Sequence, residues 1–240
     1  MGRIFEKRKH SIFKTAAQNS KLYSKYSKQL YMAAKKGVPD PAANPVLRTF
    51  VERAKRENVP SHVIDKAIQK AAGTGGEEFQ PARYEGFGPG GSLLIVECLT
   101  DNSTRTISDV RSCFYKTGSK LAANGSVIMS SDHLAILSFN GDDEEKVLEA
   151  MFAADVAVEE IEREDGMVTI FAPPVEFYKA KTALLDAFPG LELEIQEIRF
   201  LPRASKVLSG EDMVLFEKLL GMLNDCDDVQ DIYHNIALPS

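Results

Sequence analysis

Lys21, Lys25, Lys28 and Lys35 stand at positions i, i+4, i+7 and i+14, a spacing that lines side chains along one stripe of an α-helix. Lys36, Arg53, Lys55, Arg56, Lys66 and Lys70 follow, and Lys7, Arg8, Lys9 and Lys14 precede. The chemistry open to such a set is electrostatic. Cationic groups along one face neutralise successive phosphates, and this needs only a positive surface of sufficient extent. The charge partition points the same way. Residues 1–72 hold sixteen Lys and Arg against five Asp and Glu, a net of +11, and residues 73–240 hold thirteen against thirty, a net of −17. The chain total of −6 hides that asymmetry. A basic end of this size suggests a polyanion partner, against the plainer reading of a lysine-rich solvated helix surface. Asn102, Arg105, Lys116 and Lys120 are secondary candidates in polar segments further along.

Other patterns carry less chemistry. Gly86–Gly91 reads GFGPGG, but it lacks the GK[ST] ending of a phosphate loop and a strand follows it, so a tight strand-to-strand connection is expected. His10, His62, His133 and His234 have no metal-ligand spacing among themselves or with the cysteines. Cys98, Cys113 and Cys226 lie far apart without a CxxC pair and read as small apolar residues in a reducing compartment. Asp142-Asp143-Glu144-Glu145 is a favourable acidic helix start. Asp225, Asp227 and Asp228 follow a helix and lack the loop pattern of an EF-hand. No nucleophile is paired with a nearby base. The expectation is a non-enzymatic protein without metal or cofactor. No run approaches the ~20 apolar residues of a membrane span, and the opening MGRIFEKRKH has no apolar core of a signal peptide. Cytoplasm is the expected compartment.

The elements that must position these residues follow from periodicity. An apolar share of 44% supports real cores. Met1–Ser20 is basic and weakly patterned, an arm or a first helix. Lys21–Lys36 repeats Leu22, Tyr26, Leu30 and Ala33 at helical spacing and stops at Gly37. Asn44 is set to cap a second helix with Pro45 in its first turn and Leu47, Phe50, Val51 and Ala54 on its buried face. After Asn58-Val59-Pro60, Ser61 is read as the cap of a third, lined by Val63, Ile64, Ala67, Ile68 and Ala71. The second and third helices could form a helix-turn-helix with His62, Lys66, Gln69 and Lys70 facing a groove, or simply two members of a bundle. Tyr23, Tyr26 and Tyr31 read as core, with stacking on bases as the alternative. Past the linker Gly73–Glu78, strands are expected at 83–87, 92–99, 126–129 and 134–139, with a helix from Asp101 to Gly118. A helix follows at 144–153, strands at 156–162 and 167–171, a helix at 175–188 and a strand at 193–201. From Leu134 the order is β-α-β-β-α-β, the ferredoxin-like arrangement. A strand at 205–208, a helix at 211–223 and a strand at 229–235 close the chain. The fold class is therefore α+β: a three-helix domain, then two ferredoxin-like domains, one inserted in the other. The expected boundaries are 1–75, then 80–131 with 203–240, then 132–202.

Four stretches resemble a known family. YMAAKKGVPDPAANPVLRTFVERAKRENVPSHVIDKAIQKA (Tyr31–Ala71), RYEGFGPGG (Arg83–Gly91), ECLTDNSTRT (Glu97–Thr106) and NGSV (Asn124–Val127) are similar to the YebC/PmpR family, to which a mitochondrial translational activator also belongs. The opening, MGRIFEKRKHSIFKTAAQNSKLYSKYSK, is closer to its YeeN-like branch. The resemblance implies three domains and a role in gene expression without catalysis. It implies DNA-binding transcriptional regulation, as described for bacterial members, or action on ribosomal RNA in translation. Both require a phosphate-binding face.

Overall fold

The computed structural model describes residues 16–73, 76, 78–208 and 210–237. Among them, 129–204 form one compact unit and 16–128 with 205–237 another.

The larger unit opens with α1 (Ala16–Lys36), α2 (Pro45–Arg56) and α3 (Ser61–Ala72). Asn44 performs the expected cap: its Oδ1 accepts from Leu47 N at 3.0 Å. Its amide also donates to Ala33 O at 3.0 Å and Val38 O at 2.9 Å, so one buried side chain closes the end of α1 and opens α2. Asn58, in the left-handed region at φ 58°, ends α2. Ser61 is the first residue of α3 rather than its cap: Pro60 holds the cap position, and no side chain caps the helix. Tyr26, Leu30, Leu47, Val51, Ala54, Ile64 and Ala67 form the core of the three helices.

Next come β1 (Gln80–Phe87), β2 (Leu93–Thr100), α4 (Ser103–Tyr115) and the two-residue β3 (Lys120–Leu121). The glycine loop makes the expected tight connection, with Phe87 opposite Leu93. Gly90 at φ 60° turns the chain there. Gly86 is required for space, since a Cβ on it would stand 2.2 Å from Phe114. β3 was not legible in the sequence, and the strand expected at 126–129 is absent. Turns and a short 3-10 segment (Ile128–Ser130) take its place. The physical cause is Glu85. Its buried carboxylate accepts the backbone N–H groups of Gly125 and Val127 at 2.6 Å and Ile128 at 2.9 Å, so those donors are satisfied by a side chain and not by a ladder.

The smaller unit contains β4 (Ser131–Asn140), α5 (Glu144–Ala153), β5 (Glu160–Glu164), β6 (Met167–Ala172), α6 (Phe177–Ala187) and β7 (Leu193–Pro202). Asp143 caps α5 by accepting from Lys146 N at 2.9 Å, and Glu144 and Glu145 occupy its first turn. The expected helix at 175–188 divides into a 3-10 turn (Pro174–Glu176) and α6. The strand expected from 156 starts at Glu160. Its sheet runs β5-β6-β4-β7, all neighbours antiparallel, over a core that includes Leu137, Met151, Val168, Ile170 and Leu184.

The chain then completes the larger unit with α7 (Gly210–Asp225) and β8 (Val229–His234). The strand expected at 205–208 reduces to a single bridge, Lys206 to Ile236. The second sheet runs β3-β1-β2-β8. This is the spatial order of the first sheet, with the strand beside the central one supplied from the front of the chain. Leu94, Val96, Phe114, Phe216 and Leu219 build its core. The class is α+β, with a three-helix region and two four-stranded antiparallel sheets. Among the described residues no helix is long and apolar enough to cross a membrane.

Candidate nucleic-acid interface

The α1 stripe forms as its periodicity requires, but three of its four lysines are paired with aspartates. Lys21 pairs with Asp225. Lys25 Nζ lies 2.8 Å from Asp231 Oδ1. Lys28 Nζ lies 2.9 Å from Asp228 Oδ1 and donates to Asp227 O at 2.9 Å. Three of the four stripe lysines therefore meet aspartates at the end of α7, in the turn that follows it and in β8. The reason is reach: a turn rich in aspartate packs beside α1, and the long lysine stems span to it.

Asp228 is the centre of this contact. Its side chain is 6% exposed. Oδ2 accepts from Arg105 Nη2 and from Thr106 Oγ1, each at 2.8 Å. Burial pushes its carboxyl pKa up, but the hydrogen bonds from Arg105, Lys28 and Thr106 outweigh that and hold it at about 2. Arg105 also bonds Asp101 at 2.7 Å, and Asn102 caps α4 by accepting from Arg105 N at 3.1 Å. These two secondary candidates thus serve the fold locally. Lys116 is exposed at the end of α4, and Lys120 sits 5.9 Å from the centre of the Phe87 ring.

The remaining cations are spread over the three helices. Lys35 and Lys36 end α1, Lys55 and Arg56 end α2, and Lys66 and Lys70 lie on α3; all six are exposed. Arg53 is half-buried. Arg48, not among the primary candidates, bonds Pro41 O and so ties down the α1–α2 connection. Cations gather at helix C-termini because the last carbonyls favour positive charge there. Tyr31 joins two of the helices: Lys35 Nζ lies 5.3 Å and Lys70 Nζ 5.8 Å from its ring centre, and Lys35 donates to its hydroxyl at 3.0 Å. Tyr26 and Tyr31 are buried at 4% and 3% exposure, which settles them as core. His62, Lys66, Gln69 and Lys70 are exposed together along α3. Lys7, Arg8, Lys9 and Lys14 lie outside the described residues.

A groove of about 930 Å³ opens beside the lysine–aspartate contact. Lys21, Lys70 and Lys116 line it together with Asp109, Asp225 and Asp227, so its charge is mixed. Sequence reasoning missed the aspartates as partners. The available signal was that Asp225, Asp228 and Asp231 recur every third residue, much as the lysines recur every third or fourth.

Comparison with known proteins gives concordant findings. A family model described as the TACO1/YebC protein N-terminal domain matches residues 3–74, and one described as the TACO1/YebC second and third domain matches residues 79–236. A probable transcriptional regulatory protein of Pseudoalteromonas atlantica is 57% identical over 238 residues, covering 99% of this chain and 98% of that protein. One of Vibrio cholerae with the same description is 55% identical over 235 residues, 98% of each chain. The crystal structure of a conserved hypothetical protein from Aquifex aeolicus superposes with a TM-score of 0.74 at 33% identity, over 97% of this chain and 96% of that one.

Proposed function

The chain belongs to the TACO1/YebC family, and from that premise we propose that it is a non-enzymatic, cytoplasmic DNA-binding regulator of transcription. Relatives across its full length carry the description of probable transcriptional regulatory proteins. The observation that carries the reading is the set of six exposed cations at the ends of α1 and α2 and along α3. Six exposed Lys and Arg side chains on one small bundle make a phosphate-tracking surface. The acidic remainder repels a polyanion and so orients the basic bundle towards it.

The partner is DNA, held through backbone phosphates, and the exposed His62 and Gln69 of α3 are the side chains that would read base edges. No cofactor or metal takes part. The test is the salt dependence of binding to a short duplex. Six phosphates neutralised give a slope of log K against log salt of about −5. The triple variant K36Q/K55Q/K66Q makes it shallower by about 3. A flat salt response in the unaltered protein refutes the reading. Crosslinking in cells, with bound DNA and bound RNA both sequenced, separates this from a role on the ribosome: recovery of ribosomal RNA alone moves the same face to translation.

A further inference from the structure

The contact between α1 and the α7–β8 turn is electrostatic rather than apolar. The helical core (Leu30, Leu47, Ile64 and neighbours) and the sheet core (Leu94, Phe114, Phe216 and neighbours) are separate clusters that share no residue. What joins them on this side is the series Lys21–Asp225, Lys25–Asp231 and Lys28–Asp228, with the Phe79 ring edge-on to Tyr31 at 5.9 Å between centroids. An interface made largely of ion pairs is a separable one. The exposed Lys21–Asp225 pair is worth about 0–1 kcal/mol and weakens with salt, the half-buried Lys25–Asp231 pair is screened less, and the buried Lys28–Asp228 pair is the strong point of the contact.

The geometry also matches a polyanion. Lys21 to Lys28 spans seven residues, about 10 Å of helix rise. That length is on the scale of a short run of phosphates on one strand. The three aspartates hold one carboxylate against each lysine along this length.

We propose that the α1 stripe is a second phosphate-binding surface, kept paired by the Asp225–Asp231 segment, and that nucleic acid and this segment compete for Lys21, Lys25 and Lys28. The exposed face at the helix ends makes first contact; a strand that reaches the stripe displaces the carboxylates one by one. Asp225 and Asp231 return to water, Asp228 stays held by Arg105 and Thr106, and each lysine exchanges one anion for another. The turn acts as an internal phosphate mimic that sets a threshold for full engagement. This rests on the reading that the chain binds nucleic acid.

The test is D225N/D231N in the full chain, with Asp228 kept because Arg105 and Thr106 also depend on it. The control is E211Q/D212N, the same charge change at the opposite end of α7. Fluorescence anisotropy on a duplex DNA of about two helical turns, titrated over salt, reads both affinity and slope, and circular dichroism checks the fold. Uncovering two lysines steepens the slope by about 2 and tightens binding about tenfold or more at low salt. The control tightens it far less. Three results overturn the proposal. If the unaltered protein binds and D225N/D231N binds identically, the stripe is not a covered site, while the nucleic-acid reading stands. If the control tightens binding as much, the effect is net charge alone. If neither protein binds at any salt, both readings fail. Binding by D225N/D231N alone supports the proposal in its strongest form.

Discussion

Replacing Asp228 by Asn removes one charge at the point where α1, α4 and the α7–β8 turn meet. The amide keeps the shape and still accepts from Thr106, but the carboxylate facing Lys28 and Arg105 is lost. Folding depresses the Asp228 pKa from 3.8 to about 2. At about 1.4 kcal/mol per pH unit, that is about 2 kcal/mol of folding stability at neutral pH. Leaving Lys28, whose side chain is only 15% exposed, without its counter-charge adds to the loss. The variant should therefore unfold about 2–3 kcal/mol more easily. In urea, at a slope of about 2 kcal/mol per molar, the midpoint falls by about 1 M. The chain has no tryptophan, so far-ultraviolet circular dichroism is the natural signal. The pH dependence fixes the cause. A carboxyl with a depressed folded pKa contributes in full above its unfolded value and loses that contribution as pH falls through the folded one. The gap between the two proteins should hold at neutral pH and close between about pH 4 and about pH 2. Equal midpoints at neutral pH, or a gap that persists undiminished at the acid end, would refute the electrostatic account of this contact.

Two further outcomes follow from the fold. Asn44→Ala removes the α2 cap and both donations to the end of α1, and should cost about 1–3 kcal/mol, read as a lower thermal or urea midpoint; an unchanged midpoint would show the cap to be redundant. Glu85→Gln leaves an amide where a carboxylate accepts three backbone N–H groups. Those bonds hold the Glu85 pKa below its ordinary value against the burial that raises it. Hydrogen exchange at Gly125, Val127 and Ile128 should quicken about tenfold to a hundredfold, and unaltered rates would mean the loop is held by something else.

Much of this architecture was legible from local pattern. The Asn44-Pro45 start of α2, the acidic start of α5 and the β-α-β-β-α-β order are written in caps, periods and turn residues, which act over a few positions. The elements misread are those in which a distant group intervenes. The 126–129 segment has the composition of a strand, yet Glu85, forty positions earlier, takes its backbone donors. β3 is two residues long and exists only because β1 offers it an edge.

The sequence by itself determined that Lys21, Lys25 and Lys28 share one helix face, because 3.6 residues per turn leaves no other arrangement. It also determined that positive charge concentrates at one end of the chain. What that face meets was decided only in three dimensions, since the aspartates that cover it come from about two hundred positions away. Helical periodicity fixes which side chains stand together; the packing of separately formed elements fixes what stands opposite them.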